Sequence, residues 1–404
     1  MTYEELLQEV VPHLLARCQV CRETHEEILS LQELLGHWNE EVVVTESREA
    51  PELWARIASL SYEEQLKRLK ADPSLQTWGL CQLLLRKSRE AGFEDPTAAV
   101  NFANLAVQIS AHLGDVYHPE WVKDLRARAL AQLGNARRVL GELRSADDVF
   151  RCSEAFLAEG TGDPRLRAEI LDLESSLRRA QRKLKQALHL LKEALAIYRA
   201  EEDQHGVGKV LLKLAKVHQE MGDLDASIKL LKKHSSEIKA TADPDLIAYS
   251  QFNLLTCLVD AKRYEEAEQL LPEVEQLFSA REQPLNFVRL GWAKANIAFG
   301  LNRIPEAEAG FLDVQQAFLE RGMAYDAALV SLDLALVYLR ESKLSDLKKL
   351  AGDLVVLFES RDVHREALGA LYLFQKACEE ERITEMAVSQ LAEALRRGQP
   401  AREG

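Results

Sequence analysis

The strongest constraint on this chain is a phase that returns every forty residues. Small or apolar residues stand at Gly134, Ser175, Ala215, Leu255, Ala295 and Ala335, one step of forty-one residues followed by four of forty. Twelve residues behind runs a second row: Ala146, Ala187, Ser227, Ala267, Ala307 and Leu347. A third row is Leu143, Leu184, Leu224, Tyr264, Ile304 and Leu344; a fourth is Phe150, Leu191, Leu231, Leu271, Phe311 and Ala351. Apart from the Tyr264 hydroxyl, these last two rows carry no polar side-chain group. Self-similarity at such a period is the mark of a stacked array, in which each unit buries its apolar face only against its neighbours.

Within a unit the spacing reads helix, tight turn, helix. Gly222-Asp223-Leu224 and Ala261-Lys262-Arg263-Tyr264 supply turns. Small residues belong where the two helices of a pair cross, because bulk there would push the axes beyond their roughly 8–10 Å contact distance. Asp95-Pro96, Asp163-Pro164, Asp243-Pro244 and Ile304-Pro305 mark helix starts. The Asp carboxylate accepts from free N–H groups, and Pro at the first helical position loses nothing. The expected pairs are 121–138/143–158, 163–182/184–200, 205–221/224–239, 243–261/264–280, 284–301/304–321 and 324–341/343–359. A degenerate unit, Trp78 to Glu90 and Asp95 to Leu113, precedes them. A last pair, Val363 to Cys378 and Ile383 to Arg397, is expected to cap the stack with a polar outer face.

The phased signature of Tyr264-Glu265-Glu266-Ala267-Glu268-Gln269-Leu270-Leu271 resembles the tetratricopeptide repeat family, over roughly residues 75–397. The period departs from the family's usual length of about 34. Variants with longer helices, such as those of bacterial regulators, peptide-pheromone receptors and kinesin light chains, are similar. The resemblance implies an all-α, right-handed superhelical solenoid of antiparallel helix pairs, seven to eight in number, whose first helices line a concave groove.

In that family the positions three before, one after and four after the small crossing residue face inward. The resemblance therefore places Asn135, Arg138, Ser176, Arg179 and Lys216 on a basic, polar half of the groove. It places Phe252, Trp292, Asn296 and Phe299 on an apolar, aromatic half. Such a surface suits a protein or peptide with acidic and hydrophobic segments. The cations would pair with carboxylates, and the rings, not needed for the crossing at Leu255 and Ala295, would anchor the apolar part. Asn135 and Asn296 resemble the inner-face asparagines that hold a bound backbone in this family. The competing reading is that a terminal helix or a neighbouring pair covers the apolar half.

Residues 1–45 do not follow the repeat. Thr2-Tyr3-Glu4-Glu5 is a capping box. His13, Cys18, Cys21 and His25 are ligand types that zinc takes. The stretch His13-Leu14 to Cys18-Gln19-Val20-Cys21-Arg22 resembles the zinc-binding anti-sigma-factor domain. It departs from that domain by four residues rather than three between His13 and Cys18, and by lacking the upstream fourth ligand, for which His25 would stand in. A zinc site and a metal-free helical hairpin both remain open. Residues 46–74 read as a linker and a helix, with a hinge near Pro51 and a cap at Ser61-Tyr62-Glu63-Glu64. Residues 398–404 read as a disordered tail.

Composition narrows the function classes. A net charge of -14 and a pI near 5.4 disfavour nucleic acid or an anionic membrane as main partner, because both reward clustered Lys and Arg. The acidic start, the absence of an apolar run of membrane-spanning length and only six cysteines point to the cytoplasm. No His-Glu-x-x-His and no Gly-x-Ser-x-Gly occurs. His205-Gly206-Val207-Gly208-Lys209 is not a phosphate loop: Asp203 holds the place of its first glycine, no Ser or Thr follows, and it opens a repeat helix. No enzyme is expected, and no cofactor beyond the zinc question. Three functions fit: an interaction adaptor or scaffold, a regulator whose anti-sigma-like segment controls a transcription factor, and a receptor for a signalling peptide.

Overall fold

The computed structural model describes residues 40–92, 94–113, 117–279, 284–359 and 365–398. The candidate ligands His13, Cys18, Cys21 and His25 lie outside them. The described residues contain α-helices and one 3-10 turn, Pro73–Leu75, and no strand. The chain divides into two compact units, Met1–Ile197 and Tyr198–Gly404.

The first unit contains α1 (Glu40–Ala55), α2 (Tyr62–Ala71), α3 (Trp78–Ala91), α4 (Pro96–Ser110), α5 (Pro119–Leu140), α6 (Leu143–Ala158), α7 (Pro164–Ala180) and most of α8 (Leu184–Ala200). The second contains α9 (Gln204–Glu220), α10 (Leu224–Lys233), α11 (Ser235–Ala240), α12 (Pro244–Asp260), α13 (Tyr264–Ser279), α14 (Pro284–Gly300), α15 (Ile304–Glu320), α16 (Ala324–Arg340), α17 (Leu344–Glu359), α18 (Arg365–Glu379) and α19 (Glu385–Gly398). The helix pairs fall within two residues of the expected bounds, with one exception. The segment 224–239 is two helices, broken at His234 with φ -102° and ψ 14°. His234 Nδ1 pairs with Glu237, three residues on, and the Ser235-Ser236 step favours local hydrogen bonds over a continuous helix.

The two small rows, and all of the fourth row except half-buried Leu271, are core, while the third row is mostly half-buried and Leu344 is exposed. Ala146, Ala187, Ser227, Ala267 and Ala307 are all 0% exposed. At the first crossing Gly134 faces Phe150 so closely that a Cβ would sit 2.8 Å from the ring. Ser227 Oγ donates to the Ala215 carbonyl at 2.8 Å, joining the two small rows directly. Asp95, Asp163 and Asp243 each cap a Pro-initiated helix as expected, with N–H to carboxylate distances of 2.8–3.2 Å. Gly206 and Gly208 serve packing: a Cβ on Gly206 would meet the Tyr198 ring at 2.5 Å, and one on Gly208 would meet Thr241 at 2.9 Å.

The turns repeat as strictly as the core. Gly141, Gly162, Arg182, Glu202, Gly222, Ala242, Lys262, Asn302, Gly322 and Ser342 all have φ between 51° and 92°. All but Gly162, which lies in the loop before α7, follow the end of a helix as a left-handed residue. At most of them the next N–H returns five residues to a carbonyl, as from Asp223 to His218, Arg263 to Leu258 and Lys343 to Tyr338, at 2.8–2.9 Å. In the second unit, Lys232–Glu266, Arg303–Glu268 and Lys343–Glu308 ion pairs link successive second helices. Solvent screening keeps such surface pairs weak.

The expected linker and hinge near Pro51 need correction. Val42, Val43, Val44, Thr45 and Pro51 all lie inside α1, which packs against α3. Val43 is 6% exposed and belongs to the core formed with Ile57, Trp78 and Leu84. Glu46 ties the helix down, accepting from the Tyr117 hydroxyl at 2.6 Å and from Gly79 N–H at 3.2 Å. Burial of Val43 and the Glu46 contacts thus hold the helix despite weak helix propensity and the break that Pro51 would otherwise impose.

Candidate binding surface

In the first unit the expected polar groove residues turn largely inward. Arg138 is 4% exposed, and its Nε donates to Asn135 Oδ1 at 3.0 Å. Ser176 is also 4% exposed, with its hydroxyl directed at the Asp172 carbonyl 3.5 Å away. Arg138 and Ser176 are therefore interior groups, not surface available to a partner. Arg179 remains half-buried. Its neighbour Arg178 is held between Asp147 of α6 and Glu174 of α7. Partial burial and the adjacent Glu174 carboxylate push the Glu154 pKa up.

The second unit keeps a partly open row along its first helices. Lys216 Nζ donates to Gln219 Oε1 at 3.1 Å, and Gln219 Nε2 donates to Asp260 at 2.6 Å. Leu212, Phe252, Val259, Trp292 and Phe299 are half-buried hydrophobics resting on the core beneath. Two of the rings also pack within their own pair, away from the crossing at Leu255 and Ala295. Phe252 meets Phe278 at 5.3 Å between centroids, and Trp292 meets Phe318 edge-on at 6.0 Å. Both contacts join the first helix of a pair to the second helix of the same pair, twenty-six residues on. The rings thus fill the open end of each pair while keeping one edge accessible.

Three polar contacts organise this row, and sequence reasoning missed the partner in each. Trp292 Nε1 donates to Asp333 Oδ2 at 2.7 Å. The Arg340 guanidinium lies 4.0 Å over the Phe299 ring, and its Nη1 donates to the Phe299 carbonyl at 3.3 Å. Asn296 Nδ2 donates to the Trp292 carbonyl at 3.0 Å. The available signal was the forty-one-residue offset that joins Trp292 to Asp333, Phe299 to Arg340 and Gln219 to Asp260.

At the α16/α17 pair the row closes in part. Leu332, the counterpart of Phe252 and Trp292, is 0% exposed, while Leu336 and Leu339 stay half-buried. Helix α19 packs on α16 as well as on α18, and the Tyr325 hydroxyl donates to the Leu395 carbonyl.

Among the described residues no group of three or more metal-ligating side chains comes together. Burial pushes the Cys81 thiol up to about 12 and Cys378 up to about 11, away from thiolate chemistry. No described helix is long and apolar enough to cross a membrane.

No protein-family model matches the chain, and no curated protein matches it. Among solved structures, a Rap protein complexed with competence and sporulation factor is similar at TM-score 0.59 and 16% identity, covering 79% of this chain and 87% of that one. Aspartyl phosphate phosphatase F from Bacillus subtilis is similar at TM-score 0.58 and 10% identity, covering 90% of this chain and 95% of that one. At these identities the likeness is one of fold: this chain shares the all-α, tetratricopeptide-like arrangement of helix pairs with those proteins.

Proposed function

We propose that the chain is a non-catalytic binding protein of the regulator or adaptor kind, and that the first-helix row of its second unit holds a peptide or a segment of a partner protein. The observation that carries this reading is the run of half-exposed Phe252, Trp292 and Phe299 beside Lys216 and Asn296. The rings sit on the core beneath and keep part of their surface exposed. Full burial of such a ring contributes about 1.5–3 kcal/mol, and since these are already half-buried the remaining gain is on the order of 1 kcal/mol each. Binding therefore needs several of them together, which an extended or helical segment supplies. In this unit Lys216 is the cation placed to meet an acidic group of the partner.

Among the three functions that fit the sequence, the peptide-receptor reading gains support from the Rap complex, in which a protein of this fold holds a competence and sporulation factor; the anti-sigma-like regulator reading gains none. One fold neighbour carries the name of a phosphatase, a property of that protein. The test is a pull-down from the native host with wild type, Phe299→Ala and Asn296→Ala, read by mass spectrometry with melting temperature as a folding control. A partner retained by wild type and lost by both folded variants is the expected result. Equal recovery on all three would move the site off this row.

A further inference from the structure

A groove of about 530 Å³ opens between α14 and α15 in the second unit, lined by Phe287, Val288, Gly291, Asp313, Val314 and Arg321 among others. The pair before it shows what normally fills this place. Forty residues earlier, Gln251 holds the position of Gly291 and Glu273 that of Asp313. There the Gln251 side chain, only 9% exposed, spans the pair and donates Nε2 to Glu273 Oε1 at 2.9 Å. In the α14/α15 pair Gly291 removes the bridging side chain while the acceptor at its far end remains. Asp313 makes no side-chain hydrogen bond or ion pair among the described residues. Arg321 does not close the gap, because its Nη1 donates to the Ala317 carbonyl of its own helix at 2.8 Å. Phe287, 44% exposed, stands at the rim.

We propose that this groove takes a linear side chain ending in an N–H donor from a partner protein, with its tip on Asp313 and its stem against Phe287, Val288 and Val314. The partner replaces in trans what Gln251 supplies in cis one repeat earlier. An ionised carboxylate offers only acceptors, so a carboxamide or an ammonium fits the tip and a carboxylate does not. An aliphatic stem suits the walls, which are apolar between the two charged residues. The site uses residues other than Phe252, Trp292, Asn296 and Phe299, and it does not depend on the reading of that row.

The test uses the full chain with carbon-13 methyl labels, following the Val288 and Val314 methyl resonances. Three probes are titrated to millimolar concentration: the N-acetyl amides of glutamine, lysine and glutamate. The glutamine or lysine probe, or both, should shift the two valines saturably, and the stronger of the two identifies the tip as amide or ammonium. The glutamate probe should bind at least about tenfold more weakly, because it sets like charges together. Gly291→Gln should abolish the response by returning the bridge to the chain itself. A Cβ at Gly291 would lie 3.1 Å from Val314 Cγ2, so that variant is tight. Asp313→Lys, at the exposed rim, provides the second variant, and it should reverse the order so that the glutamate probe binds best. Equal shifts from all three probes, no shift from any, or an unchanged order in Asp313→Lys would overturn the proposal.

Discussion

The indole Nε1 of Trp292 donates to Asp333 across 2.7 Å and forty-one residues of sequence. The same offset joins Gln219 to Asp260 and Arg340 to the Phe299 carbonyl. Polar contacts at the period of the repeat thus hold successive first helices of the second unit in register. Asp333 is 7% exposed, so removing it strands a donor in a largely dry place. Asp333→Ala should destabilise by about 1–3 kcal/mol. A double-mutant cycle with Trp292→Phe, measured by urea unfolding, should return a coupling near 1 kcal/mol. Strict additivity would mean the contact does not support the fold.

The left-handed turn residues offer a stabilising change. Lys262 adopts φ 57°, a conformation that costs an L side chain roughly 1–2 kcal/mol. Gly222 holds the equivalent place one repeat earlier at φ 80°. Lys262→Gly should stabilise by about 0.5 kcal/mol or more, with part of the gain offset by greater freedom of the unfolded chain, while Gly222→Ala should destabilise by about 1 kcal/mol. Thermal melts of the two variants should move in opposite directions.

Ala267 lies at a crossing with no exposed surface, whereas Glu265 is exposed. Ala267→Leu should cost about 1–3 kcal/mol by overpacking, and Glu265→Lys should stay within about 0.5 kcal/mol. Hydrogen exchange should show the loss concentrated in α12 to α14, because repeat stability is close to a sum of neighbour terms. Equal melting temperatures for the two variants would contradict the packing described here.

Glu154 is penalised when ionised, first by partial burial and then by the neighbouring Glu174 carboxylate. Its folded pKa lies above its unfolded value. The folded state therefore binds the proton more tightly, and this preference is lost as pH rises through the folded pKa. Glu154→Gln should raise the melting temperature at pH 7. The gain should shrink as pH falls through the raised folded pKa and be gone below the ordinary glutamate value of 4.5, where the carboxyl is protonated in both states. A pH-independent gain would assign the effect to packing instead of charge.

The repeat, its helix bounds and its caps were legible in the sequence because they rest on local physics. A small residue at every crossing, Asp before Pro at helix starts and an apolar row each forty residues act over one or two turns of chain. The same reading failed at Pro51, where the tertiary contacts of Val43 and Glu46 outweigh a local break. It also failed at the His234 step, where local hydrogen bonds interrupt an otherwise regular row. Gly291 against Gln251 was visible in the aligned repeats, but its meaning needed the Gln251 bridge to be seen.

The sequence by itself determined that this chain is an array of helix pairs and where each pair begins and turns. Only the tertiary structure decided which of the inward positions remain available. Arg138 and Ser176 are enclosed, Trp292 spends its N–H on Asp333, and α19 packs on the pair that carries Leu332. The reason is that periodicity reports the direction of a side chain around its own helix, whereas exposure depends on the next helix, some forty residues away. The side chains of that helix are set by no local rule of the first.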